Sequence, residues 1–175
     1  MAVGNLEFIK SASATSVSSL SVTDCFSDKY DVYKIVISKI DVSTTNSSTI
    51  RLLDSGGSVI SASEYDTANL RLRANASFEQ LRYTGQTSFQ YTFSLEADSS
   101  DGGGMVMYVY NPNDSSSYTF IQYQEVSYSA NYFGYKSIGV HKSAETISGL
   151  QFITTGGTYD NLTVKVYGVK SWQVA

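Results

Sequence analysis

The segment Tyr30–Ile40 constrains the fold more than any other part of the chain. Its sequence, YDVYKIVISKI, places Tyr33, Ile35 and Ile37 on one face of an extended strand. β-Branched and aromatic residues that recur with a period of two are typical of a strand packed on a core. The opposite face includes Ile40, but lysine and serine lie between its apolar residues, so this face is only half apolar. We therefore expect a long strand with one buried face.

A second segment near the end of the chain has the same pattern. In Asn161–Lys170, NLTVKVYGVK, the residues Leu162, Val164 and Val166 share one face. We expect this strand and the early one to lie side by side as interior strands of a sheet.

The remaining segments also favour short strands. Turn signals separate roughly ten strand-like runs, and we find no convincing amphipathic helix. Ser11–Thr23 is expected to be a weak or edge strand, and Glu64–Arg73 is either a short helix or, as the alternation favours, a strand. The prediction is one all-β domain over residues 1–175, an antiparallel β-sandwich of the jelly-roll type.

Composition and charge disfavour several classes of protein. The net charge is −4 and lysine and arginine do not cluster, which disfavours nucleic-acid binding. No apolar run approaches the ~18 residues of a membrane-spanning helix, and the start has no secretory signal pattern. We expect a protein made in a cytoplasm that binds neither nucleic acid nor membrane. Cys25, the single cysteine, is expected to be buried as a small hydrophobic residue.

The sequence offers little for catalysis or metal binding. His141 is the only histidine and no G-x-S-x-G motif accompanies it, so we expect a surface or strand-end histidine. A zinc site built on His141 and Cys25 would need two further carboxylates at unknown separation. Asp98 and Asp101 offer oxygen ligands for calcium, but their spacing matches no EF-hand and favours a solvated loop. We expect no catalytic residue, no cofactor and no metal.

Aromatic residues are concentrated in the second half of the chain. Tyrosine suits protein interfaces and stacking on sugar rings. Aromatic residues are also common in β-sandwiches for structural reasons alone. All three interpretations remain open for this zone, which includes Tyr108, Tyr110, Tyr118, Tyr123, Tyr128, Tyr132, Phe133 and Tyr135.

Both ends of the chain resemble motifs of tailed-bacteriophage virion proteins. The opening motif, FSDKYDVYKIVISKID, is carried by Phe26, Tyr30, Asp31, Tyr33, Ile35 and Ile37. The closing motif, ISGLQFITTGGTYDNLTVKVYGVK, is carried by Ile147, Gly149, Leu150, Phe152, Gly156, Tyr167 and Gly168. The sequence departs from the family at Asn161–Thr163, where members often have a small Ser-Gly-Thr-like run.

The resemblance implies a β-sandwich virion component: a head decoration (cement) protein, a head fibre or a tail-fibre tip. Such proteins are usually homotrimers, and the resemblance transfers no catalytic residue. We expect a decoration protein located in the virion that binds the major capsid protein or other virion proteins. Residues 1–13 and 170–175 are candidate contact arms. The candidate interface residues are Trp172, Tyr108, Tyr110, Tyr132, Phe133 and Tyr135.

Two other functions remain as alternatives. The first is a receptor-binding module that recognises host surface glycan through Tyr108, Tyr110, Tyr132 and Tyr135. The second is a glycan hydrolase, which needs two carboxyl groups held roughly 5 to 9 Å apart. The sequence shows no such pair, and the hydrolase ranks last.

Overall fold

The computed structural model describes residues 5–97, 102–129 and 131–170, which form twelve β-strands and no helix. Within these residues, no helix could therefore cross a membrane. The strands are β1 Leu6–Ala14, β2 Ser19–Val22, β3 Val32–Val42, β4 Asn46–Asp54, β5 Tyr65–Arg73, β6 Glu79–Gln86, β7 Phe89–Leu95, β8 Gly103–Tyr110, β9 Thr119–Ser129, β10 Asn131–His141, β11 Ile147–Thr154 and β12 Tyr159–Val169.

The strands form two antiparallel sheets that pack face to face. The large sheet has the order β1-β12-β3-β8-β9-β10-β5-β6, and the small sheet has the order β2-β11-β4-β7. Most of the buried apolar side chains lie between the two sheets. The predicted all-β sandwich is confirmed.

The strand pairing is that of a jelly roll. The first strand pairs with the last, β2 with β11, β3 with β8 and β4 with β7, so the chain folds as one long rolled hairpin. Consecutive strands such as β1 and β2, or β11 and β12, belong to different sheets. The hairpins β5–β6 and β9–β10 are insertions, and both extend the large sheet beyond β8.

The two strands singled out in the sequence are neighbours inside the large sheet. Val164 pairs with Ile37 and Val166 with Ile35, and all four side chains are buried. This confirms the prediction for their inner faces. The prediction for Ile40 is wrong, because the sequence pattern assigns this residue to the half-apolar face and the structure buries it fully. The pairing of β3 shifts register between Ile37 and Ile40, and such a bulge reverses the direction of the side chains that follow.

Several weaker predictions can also be compared with the structure. β2 is an edge strand of the small sheet, and residues 65–73 form a strand rather than a helix. Cys25 is buried, as expected, and burial raises the pKa of its thiol to about 12. In β7 the alternation of side chains is interrupted at Tyr91, whose φ of 53° lies in the left-handed region.

Candidate functional site

The outer surface of the large sheet carries exposed apolar side chains from four adjacent strands. Side chains of β8, β9 and β10 alternate between the core and solvent, as the two faces of a strand require. On β9 and β10, Val126 is 63% exposed and Ile138 is 62% exposed. We call this surface the outward face and define it by Leu70, Val106, Phe120, Val126, Tyr132 and Ile138.

Shallow depressions lie on the outward face, and two of them are larger than a third beside Val106. The larger of these two has a volume of about 500 Å³ and an apolar floor that includes Phe120, Ile138 and Val140, with Asp66 and Arg82 among its polar residues. The second has a volume of about 420 Å³. Its lining includes Leu72, Phe78, Val126 and Tyr132. The face is therefore a contoured surface with two apolar areas, and the exposed side chains of Gln124 and Lys136, which pair across β9 and β10, lie between them.

The structure divides the predicted interface residues into two groups. Tyr108 and Tyr110 are half-buried on β8, with ring centroids 6.5 Å apart, and Tyr132 is 72% exposed. Phe133 and Tyr135 are instead buried, and this corrects their expected role in contacts with a partner or glycan. On β10 they lie on the opposite face from Tyr132 and point into the sandwich.

The predicted contact arms lie mostly in a sheet or outside the described residues. Residues 6–13 belong to β1, an edge strand of the large sheet that pairs with β12. Trp172 lies outside the described residues, as do Asp98 and Asp101.

A row of polar side chains crosses the inner face of the large sheet. Tyr135 pairs with Arg71 on one side and with Glu125 on the other. Glu79 forms an ion pair with Arg71, and the Arg71 guanidinium lies 4.6 Å from the centre of the Phe133 ring. Glu125 is 2% exposed, and its two carboxylate oxygens have no hydrogen-bond partner within the described part of the chain. Burial raises the pKa of Glu125 to about 8.

Sequence reasoning missed this buried carboxyl, although one signal was present. Glu125 is in phase with Ile121 and Tyr123, which the alternation of the strand places on the inner face.

His141 is the last residue of β10 and is fully buried, so the strand-end position is confirmed and the surface position is wrong. Its ring lies beside Glu64 and Glu145, which sequence reasoning had not connected with it. The three side chains each contribute one atom to a group whose members lie within 4.8 Å of one another. His141 Nε2 contacts both carboxylates, at 3.3 Å from Glu64 and 3.9 Å from Glu145.

Comparison with known proteins gives no family. No family model matches the chain, and no curated protein matches it. Among solved structures, a fructofuranosidase from Schwanniomyces occidentalis complexed with fructosylnystose aligns with a TM-score of 0.25 and 8% identity. The alignment covers 95% of this chain and 34% of that one. A likeness this weak carries no argument about fold or activity. The class of protein is therefore defined by its own strand order, a jelly-roll β-sandwich with two inserted hairpins.

Proposed function

We propose that this chain is a non-enzymatic structural protein of a tailed-bacteriophage virion, a capsid decoration protein that stabilises neighbouring capsomers. The observation that carries the proposal is the apolar outward face. Monomeric soluble proteins rarely expose large contiguous apolar patches, and such patches usually mark contact surfaces. The resemblance of the opening and closing motifs to phage virion proteins supports the virion as the setting.

The outward face suits contact with a second copy of the chain. Aromatic and aliphatic side chains form the cores of protein interfaces, and charged residues are depleted there. Phe120, Val126 and Ile138 provide such side chains on β9 and β10. In a symmetric particle every weak contact is repeated, so modest interfaces add up to a stable shell. We place a homotrimer contact on this face, with the remaining surface available to capsid proteins.

Measurement of the oligomeric state tests the contact surface. We expect the tag-free protein to sediment as a trimer and the double variant Val126→Lys/Ile138→Lys to sediment as a folded monomer. Val59→Lys is the matched control, because Val59 is an exposed apolar residue in the connection between β4 and β5. A double variant that still sediments as a trimer, with the wild-type circular dichroism spectrum, would contradict a trimer contact on the outward face.

The virion role needs a separate experiment. Mass spectrometry of separated heads and tails should find the protein in the head fraction. Capsids that lack it should lose integrity at lower temperature, or under milder osmotic shock, than complete capsids. Equal resistance of the two kinds of capsid would contradict the decoration role, and recovery in the tail fraction would favour a fibre.

The larger depression on the outward face favours a second candidate, a receptor-binding module for host surface glycan. Tyr110 and Phe120 place aromatic rings along this depression, and Asp66 and Arg82 place polar groups there. Aromatic surfaces with a few polar groups are suited to sugar rings. A glycan array would detect such binding, and the free protein should then inhibit phage adsorption. Phe120→Ala should abolish both effects.

A further inference from the structure

Three side chains from separate segments meet at one end of the large sheet. Glu64 precedes β5, His141 ends β10, and Glu145 lies in the connection from β10 to β11. His141 Nε2 is 3.3 Å from Glu64 Oε2 and 3.9 Å from Glu145 Oε1. Two ligands bound tetrahedrally at about 2.0 Å lie about 3.3 Å apart, which is the separation of His141 from Glu64. A shared small cation would draw the Glu145 carboxylate closer than its present 3.9 Å.

The histidine is buried, with its side chain 0% exposed and its ring centroid 4.8 Å from that of Tyr65. Among the residues that the structure describes, neither ring nitrogen has a hydrogen-bond partner. Buried polar atoms are nearly always paired, so two unpaired nitrogens on one ring need a physical explanation. His141 Nε2 lies 3.3 Å from Glu64 Oε2 without forming a hydrogen bond to it. A cation in front of Nε2, flanked by the carboxylate oxygens, would satisfy the nitrogen.

The charge balance also favours a cation, because two carboxylates converge on one imidazole. Lys142, the next residue, does not neutralise these carboxylates, since its Nζ lies 2.9 Å from Asp66 Oδ1.

We propose that Glu64, His141 and Glu145 bind one divalent transition metal, with Zn²⁺ as the preferred ion, through one carboxylate oxygen each and His141 Nε2. An imidazole with two carboxylates is a donor set that suits zinc, whereas calcium and magnesium prefer oxygen ligands alone. Both carboxylate side chains are partly exposed, at 38% and 34%, so the remaining coordination position faces solvent and takes water.

A buried hydroxyl lies across the strand pair from the histidine. Thr119 lies directly opposite His141 in the pairing of β9 with β10. It is fully buried, and its hydroxyl oxygen also lacks a hydrogen-bond partner in residues 5–97, 102–129 and 131–170. Histidines that bind a metal usually donate their other ring N–H to such a group, which fixes the ring. Thr119 is therefore a candidate acceptor for Nδ1–H.

Bound metal would connect three parts of the fold. Glu64 leads into the inserted hairpin β5–β6, His141 ends the other inserted hairpin, and Glu145 leads into β11 of the small sheet. A ligand that binds the native state alone stabilises it in proportion to its affinity and concentration. The metal would thus fasten the inserted hairpins to the jelly roll.

The experiment titrates the whole tag-free chain, treated with a chelator and dialysed, with ZnCl₂ by calorimetry. We expect one Zn²⁺ per chain and a rise in Tm on its addition. Because His141 is the only histidine, its imidazole gives one set of ¹⁵N signals. We expect the Nε2 signal to change most. Glu64→Gln and Glu145→Gln should each weaken binding by about tenfold or more, since changes even in outer-shell partners cost about 10–100-fold.

The control is Glu79→Gln, which removes a carboxylate paired with arginines elsewhere on the large sheet and should leave the affinity unchanged. The glutamine variants change partly exposed side chains and keep their shape, so they should fold. Three results would overturn the proposal: no saturable binding, binding through Nδ1, or equal affinity in the double variant Glu64→Gln/Glu145→Gln. None of these results bears on the outward face, so the proposed function is tested independently.

Discussion

Gly168 in β12 lies directly against the ring of Tyr30, just before β3. A Cβ atom at Gly168 would come within 3.0 Å of three ring atoms of Tyr30. The Tyr30 ring cannot easily move away, since it is buried and packs edge-on against Tyr33. One residue belongs to the opening motif and the other to the closing motif. Their contact gives a physical reason for a tyrosine at one end and a glycine at the other.

The first prediction concerns this contact. Gly168→Ala should lower the free energy of unfolding by about 1–3 kcal/mol, because an added methyl group overpacks a filled site. Urea denaturation measures the change. Gly156→Ala is the control, since a Cβ there would meet its nearest atom at 4.0 Å. We expect a change within about 0.5 kcal/mol for that variant. Equal losses in both variants would show that the Tyr30 contact is not the cause.

The second prediction concerns the hydroxyl of Tyr33. It accepts a hydrogen bond from the Ser27 backbone N–H at 2.8 Å and donates one to the Ser27 carbonyl oxygen at 2.9 Å. Tyr33→Phe removes both bonds and leaves the turn before β3 without this attachment, so stability should fall by about 1–2 kcal/mol. Tyr118→Phe, at a ring that is 46% exposed, should have little effect in the same chemical denaturation experiment. Similar losses would argue against a special role for the Ser27 contacts.

The third prediction compares two isoleucines on opposite faces of the large sheet. Ile35 is 0% exposed and Ile138 is 62% exposed. Ile35→Ala should cost about 2–5 kcal/mol, because it leaves a cavity between the sheets. Ile138→Ala should cost less than about 1 kcal/mol, the range of strand preference. Thermal and urea unfolding at a concentration where both proteins are monomeric would measure these values. The same loss at both positions would contradict the assignment of the inner and outward faces.

The fourth prediction concerns pH and Glu125. The pKa of this buried carboxyl is raised from an ordinary 4.5 to about 8 in the folded state. Between these values the folded chain holds a proton that the unfolded chain has released, so stability falls as pH rises. Glu125→Gln removes this loss. The variant should match the wild type below pH 4.5 and exceed it by a few kcal/mol, in order of magnitude, above pH 8.

Stability curves measured from pH 4 to pH 9 test this prediction. Glu79→Gln, at a side chain that is 42% exposed and paired with Arg73, should show no gain that grows with pH. Parallel curves for Glu125→Gln and the wild type would mean that the carboxyl is not desolvated in the folded state.

Local patterns were sufficient for much of the fold. Residues 30–40 and 161–170 were predicted as interior strands, and their inner faces agree with the structure. Alternation could not predict Ile40, because a bulge changes the phase and depends on pairing with other strands. It also could not choose between the two faces for Tyr132 and Tyr135. The sequence shows that they lie on opposite faces, and only the position of the small sheet decides which face is covered.

The amino-acid sequence alone determined the all-β class, because a period of two with β-branched and aromatic residues is a property of each strand by itself. Tertiary structure decided which distant residues meet. Glu64 lies just before β5, His141 ends β10, and Glu145 lies in the connection from β10 to β11. The pairing of β10 with β5 brings Glu64 and His141 together. The pairing of strands depends on how the whole chain closes around one core. The outward face and the histidine cluster therefore become visible only in the folded molecule.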